Sequence, residues 1–287
     1  MKICKVCGFW SYERTRCYHD RKILSPLPKP KKLKRGTQMT SPSGIEFVWI
    51  PAGSFMMGSP PSEVGRFWNE GPQRLVTIER GFWMGRYPVT EEQYYSISVK
   101  EEFIGPEKEL PRTRVTWKNA KRFVTNLNER NDGLIYSLPT EAEWEYSARA
   151  GTTTPFAFGK FLSITQANFL PDYQGDDLNR DGFDEDELLF MDPEINRVGS
   201  YKPNAWGVYD MHGTVYEWVE DYYKDNYRGL RTDGSANTKK GFRERRVVRG
   251  GAYCMRGARY CRSANRGQEE SWKRNEMYGF RVVARAL

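Results

Sequence analysis

The stretch NAWGVYDMHGTVYEW, residues 204–218, decides how this chain is read. Gly207 and Gly213 alternate there with Trp206, Tyr209, Tyr216 and Trp218, with no helical period. Such a segment, dense in glycine and aromatics, belongs to a loop-dominated half. Glu217 stands between Tyr216 and Trp218. A carboxylate so placed is poorly solvated and needs a cation or a set of amide donors. His212 has no second His or Cys close by, so it is expected as a hydrogen-bonded core histidine.

Outward from this stretch, the chain from residue 150 on is rich in Gly, Asn and Asp and has only short apolar runs. Arg246–Arg249 and Phe280–Val283 read as strands pinning a loop-dominated half. That much irregular backbone must be satisfied by side-chain hydrogen bonds or by bound ions. The half before it is more regular. IEFVWI, residues 45–50, reads as a strand stopped by Pro51. Thr90 with Gln93, and Thr140 with Glu143, are capping boxes that open helices. Thr116 caps another helix, in which Ala120, Phe123, Val124 and Leu127 make one apolar face.

The 287 residues carry a formal charge of +8, but residues 1–40 alone hold 11 Lys/Arg against 2 Asp/Glu, a net +9 that leaves the rest at −1. Any nucleic-acid tendency therefore belongs to an N-terminal appendage. Within it Cys4, Cys7, Cys17 and His19 are spaced C-x2-C-x9-C-x-H, which suits tetrahedral zinc. The alternative is a flexible basic tail with incidental cysteines. The predicted division is a zinc knuckle at 1–22, a basic Pro-rich linker at 23–43 and one large domain at 44–287. The linker's Lys/Arg cluster suits nucleic acid, an acidic partner or a solvated tether. The five cysteines argue against a disulfide scaffold, and two histidines exclude a three-His metal site. No run is long enough for a membrane span or shaped as a signal peptide, so a cytoplasmic location is expected.

Residues 172–187 hold eight acidic side chains and one basic. Within them Asp177, Asn179, Asp181 and Gly182 follow the D-x-N-x-D-G pattern of a calcium loop, with the Phe183 carbonyl next in line. Leu188 stands where an EF-hand has Glu, so the loop is calcium-type without being an EF-hand. A solvated acidic loop is the plain alternative.

The stretches FVWIPAGSFMMGS, GRYPVTEEQY, VTWKNAKRF, LPTEAEWEYSARAG, QANF, VGSYKPNAWGVYDMHGTVYEW, RVVRGGAY, CRSANR and GFRVV resemble the formylglycine-generating enzyme, or sulfatase-modifying factor, family, in that order. The resemblance implies an α+β, loop-rich, C-type-lectin-like fold. It also implies two calcium sites, one on Asn168, Phe169, Asp181 and Phe183 and one on Gly213, Val215 and Glu217. Thr214 stands where the family usually has Asn.

Family membership leaves function open. The family's copper-dependent oxidases carry two active-site cysteines four residues apart after a Gly-Gly turn. Here Gly250-Gly251-Ala252-Tyr253 is followed by Cys254, and six residues separate it from Cys261. Cys261 opens CRSANR, which reads as a core strand. The C-terminal stretch from Arg249 to Val283 resembles instead the variable region of diversity-generating retroelement target proteins, where a fixed frame displays rewritable positions. That resemblance implies a non-catalytic ligand-binding protein with its variable region at 254–278. Its contact residues would be Met255, Arg256, Arg259, Tyr260, Trp272, Arg274 and Tyr278, facing a protein or other macromolecule. The alternative is a copper-dependent oxidase of a protein cysteine, using Cys254 and Cys261.

Overall fold

The computed structural model describes residues 2–3, 10–11, 25–26, 33–99, 105, 107–172, 192–241 and 243–286. Residues 1–34 form one unit and residues 35–287 another. In the first, β1 (Lys2–Ile3) pairs antiparallel with β2 (Trp10–Ser11) and β3 (Ser25–Pro26). Cys4, Cys7, Cys17 and His19 lie outside the described residues, so the zinc expectation stays an expectation.

The second unit is mostly sheet with few helices. Its strands are β4 (Gln38–Thr40), β5 (Glu46–Ile50), β6 (Gly53–Met57), β7 (Arg74–Ile78) and β8 (Phe82–Gly85). Helices α1 (Glu91–Tyr94) and α2 (Trp117–Glu129), strand β9 (Leu134–Ser137) and helix α3 (Glu141–Arg149) follow. Then come β10 (Tyr216–Tyr222), β11 (Arg245–Arg249), β12 (Gly267–Glu270), β13 (Tyr278–Phe280) and β14 (Val283–Ala286). One antiparallel sheet runs β4-β5-β8-β14-β9 and a second runs β12-β11-β10-β13, in which β10 and β13 are parallel. Strands β6 and β7 make a separate ribbon.

The helix starts follow the sequence. The hydroxyls of Thr90, Thr116 and Thr140 accept from the N–H groups of Gln93, Asn119 and Glu143 at 3.2, 3.0 and 3.0 Å. Each of those three side chains accepts in return from its threonine's backbone, which satisfies donors a helix start leaves open. Ala120, Phe123, Val124 and Leu127 are buried along one face of α2 against Trp218 and Phe280 in a shared core.

Three expectations are corrected. The domain starts at Arg35, inside the expected linker: β4 pairs with β5, and Met39 packs on the core. Phe280–Val283 is not one strand. The chain leaves β13 in one sheet and enters β14 in the other, with Arg281 and Val282 at the crossing. CRSANR is no strand either. After a single 3-10 turn at Ala258–Cys261 it is irregular and buried, because its arginines reach sideways to carboxylates rather than along a ladder.

Those arginines organise the interior. Arg262 pairs with Glu70 and with Glu63, the latter at 2.7 Å. Arg266 holds Glu141 through contacts of 2.5 and 2.9 Å. Arg249 pairs with Glu145, which also takes Arg149 at 2.9 Å. Arg249, Arg262 and Arg281 are 0% exposed. A buried charge without a partner is strongly destabilising, so the pairs lock the irregular segments into one arrangement. Side chains satisfy backbone too: the Asn204 amide oxygen accepts from the N–H groups of Trp206 and Val208 at 3.0 and 3.2 Å.

Candidate ligand-binding groove

The Gly250-Gly251 turn ends β11 with φ of 102° and 80°. A Cβ on Gly251 would sit 2.8 Å from the Cys261 sulfur and 2.9 Å from the Tyr260 carbonyl oxygen. Only glycine allows this approach, and the turn carries Tyr253 and Cys254 out to one wall of a groove. The opposite wall is the β12–β13 connection. There Ser271 is buried, while Trp272, Lys273, Arg274 and Glu276 are exposed. Asn275 fixes that turn by accepting from the Met277 N–H at 2.9 Å. Its carbonyl accepts from the Arg114 N–H at 2.9 Å, which brings in the third wall, Arg112 and Arg114.

The groove measures about 620 Å³ and is lined by Arg112, Arg114, Tyr253, Cys254 and residues 274–277. A second lobe of about 480 Å³ shares Arg112, Arg114, Tyr253 and Glu276 and adds Glu91, Glu107, Leu110 and Ile195. Arg112 donates to Glu91 at 2.7 Å and lies over the Tyr94 ring at 4.5 Å. Arg114 pairs with Glu276 where the lobes meet, both well exposed. Arg274 makes no ion pair among the described residues. Burial pushes the Cys254 thiol up, which keeps it protonated and weakens it as a nucleophile at neutral pH.

The expected contact residues divide. Trp272 is 60% exposed and Arg274 lines the groove. Met255 is half-buried against the core, its carbonyl accepting from the Leu170 N–H at 3.1 Å. Arg256 is half-buried, bridged in register with Leu170. Arg259 and Tyr260 pack on Phe67, the guanidinium 4.3 Å and the phenol ring 5.6 Å from its centroid. Tyr278 is corrected to a core residue. It is 7% exposed, packs on Trp218 at 5.3 Å, and donates its hydroxyl to Glu269 at 3.0 Å. Strand β13 is paired along β10, so its tyrosine faces Tyr216 and Trp218 instead of solvent. Arg112 and Arg114 were not singled out from the sequence; they come from a distant loop with no motif to mark them.

The two cysteines stand in different surroundings. Cys254 lines the groove, whereas Cys261 is 0% exposed, packed with Phe156 and Ala258 and pressed against Gly251. They are not joined in a disulfide. The Cys261 carbonyl accepts from His212 Nδ1 at 2.7 Å, and His212 Nε2 accepts from the Ala157 N–H at 3.1 Å. His212 is thus the core histidine expected, and burial lowers its pKa to about 4.

Of the first calcium set, Asp181 and Phe183 lie outside the described residues. Asn168 is buried and donates its amide N–H to the Glu194 carbonyl at 2.9 Å; Phe169 is buried beside it. The second set does not fit calcium. Both Glu217 oxygens accept from Arg281 at 2.6 Å, and one accepts from the Trp144 indole at 2.7 Å. The cation that Glu217 requires is a guanidinium. Gly213 is bridged to Asn168 from the first set: a Cβ there would collide with the Asn168 carbonyl oxygen, and the Thr214 N–H donates to that oxygen at 2.8 Å. Val215 is buried beside Gly250. Asp210 was missed by sequence reasoning. Burial pushes it up to about 6; Oδ2 accepts from the Gly199 N–H at 2.8 Å and Oδ1 has no partner.

Residues 34–286 match the sulfatase-modifying factor enzyme 1-like domain family. Among solved structures, PvdO from Pseudomonas aeruginosa is 33% identical with a TM-score of 0.73, over 89% of this chain and all of that one. Treponema denticola variable protein 1 shares the fold at a TM-score of 0.61 and 20% identity, over 87% and 98% of the two chains. The formylglycine-generating enzyme of Mus musculus is 26% identical over 83% of this chain and 75% of its own. The serine/threonine-protein kinase pkn1 of Chlamydia caviae is 29% identical over 84% of this chain, which spans only 38% of that kinase.

Proposed function

The chain belongs to the sulfatase-modifying factor enzyme 1-like family, and from that premise we propose that it is a non-catalytic, ligand-binding member. The observation that carries this reading is the contrast across the groove. Trp272 and Arg274 stand exposed on a frame whose Arg249, Arg262 and Arg281 are fully buried and ion-paired. Such a frame tolerates changes at its exposed positions, since surface substitutions usually stay within ~0.5 kcal/mol. That is the property a diversified binding protein requires, and the exposed positions within residues 254–278 are its variable ones.

The oxidase reading needs two thiols able to meet at one soft metal. Cys254 lines the groove while Cys261 is packed beneath Gly251, which favours binding over oxidation. Calcium on Asn168, Phe169, Asp181 and Phe183, and zinc on the N-terminal Cys/His quartet, belong to the same proposal. No helix among the described residues is long and apolar enough to cross a membrane.

The test is copper-dependent oxidation of a cysteine-containing peptide by the purified protein. No turnover is expected. Turnover that disappears in Cys254→Ser would establish the oxidase instead.

A further inference from the structure

Resting on the binding reading above, we infer that the larger lobe of the groove binds a carboxylate carried by a polypeptide, with Arg274 as its principal contact. The lobe is lined by three guanidinium groups, Arg112, Arg114 and Arg274, against one carboxylate, Glu276. Glu276 is already committed to Arg114. Arg112 has one amino group on Glu91. Arg274 is exposed and has no ion-pair partner among the described residues, so its planar fork is open to an incoming group. Guanidinium recognises carboxylate through two parallel N–H···O bonds, a geometry that Lys cannot reproduce. Tyr253 and Met277 supply apolar surface for the atoms that carry the carboxylate. A volume of about 620 Å³ falls within the size range of ligand clefts.

The second lobe identifies a polypeptide as the carrier. It shares Arg112 and Arg114 but is also lined by Glu91, Glu107 and Glu276. A nucleic-acid backbone crossing both lobes would set its phosphates against these acids. A polypeptide can place an acidic side chain in one lobe and a neutral or basic one in the other. The Arg114–Glu276 pair marks the boundary between the two.

The experiment pans a random dodecapeptide library on the full chain, then measures the enriched peptides by fluorescence anisotropy. The proteins compared are wild type, Arg274→Glu and Arg274→Lys, each checked for an unchanged melting temperature. Enriched peptides should share an Asp or Glu, lose at least tenfold in affinity to Arg274→Glu, and lose less to Arg274→Lys. Changing that acid to its amide should cost a similar factor. If Arg274→Glu abolishes binding but the acid-to-amide change does not, the carboxylate assignment is overturned and the groove reading stands. If the peptides bind wild type and Arg274→Glu equally, the groove reading itself falls. Failure to enrich any peptide, with single-stranded RNA binding in its place, overturns the polypeptide assignment.

Discussion

Arg281 grips Glu217 through two contacts of 2.6 Å at the point where the chain passes from one sheet to the other. The same guanidinium donates to the carbonyls of Gly85 and Tyr209 at 3.0 and 2.9 Å. One side chain therefore ties β8 and β10 to the stretch that presents the groove.

Arg281→Met should cost about 3–5 kcal/mol, because it leaves Glu217 buried and unpaired. Adding Glu217→Gln should restore part of that loss. Urea unfolding of the single and double variants checks this; losses that simply add would show that the two residues are not coupled.

Trp272→Ser should change stability by no more than ~0.5 kcal/mol, whereas Tyr278→Ser should cost about 3–5 kcal/mol, as for a buried aromatic. Melting curves decide. Equal losses would place Trp272 in the core and remove the contrast on which the binding surface rests.

The helix caps were legible because a capping box is local: Thr140 and Glu143 need only three residues of chain. The burial of Glu217 was legible from Tyr216 and Trp218 on either side, and His212 from its isolation. The partner of Glu217 was not, since Arg281 lies 64 residues away and its side-chain direction follows from a crossing between sheets. The same holds for Tyr278, whose Arg- and Met-rich surroundings read as surface. Its parallel pairing with β10 turns it inward. Arg112 and Arg114 could not be read as groove walls, because only tertiary contact with Asn275 places them there.

His212 makes acid destabilising. Its folded pKa is lowered to about 4 from an ordinary 6.5, so the unfolded chain binds the extra proton first. Its contribution is intact above pH 6.5 and is lost as pH falls toward 4, by roughly 3 kcal/mol at about 1.36 kcal/mol per unit. Buried Asp210 and Asp221, raised to about 6 and about 7, act oppositely: their contribution is intact below about 4 and declines as pH rises through 6 to 7. His212→Gln should therefore lose less stability between pH 6.5 and 4 than wild type does. Parallel pH profiles for the two proteins would contradict this.

Chelation by EDTA should lower the melting temperature, since an ion held only by the folded chain stabilises it by mass action. Asp181→Ala should remove most of the difference. Glu217→Gln should leave the EDTA-dependent shift intact while lowering the melt itself, because its carboxylate serves Arg281. An EDTA shift abolished by Glu217→Gln alone would return that residue to the calcium ligands.

Strand β14 lies between β8 and β9, yet it is made after both. During synthesis the five-stranded sheet stays in two pieces until residues 283–286 have cleared the ribosome. A chain lacking β14 would expose two unpaired strand edges, at β8 and β9, and edges of that kind recruit other chains. Loss of residues 283–286 is therefore expected to yield an aggregating product.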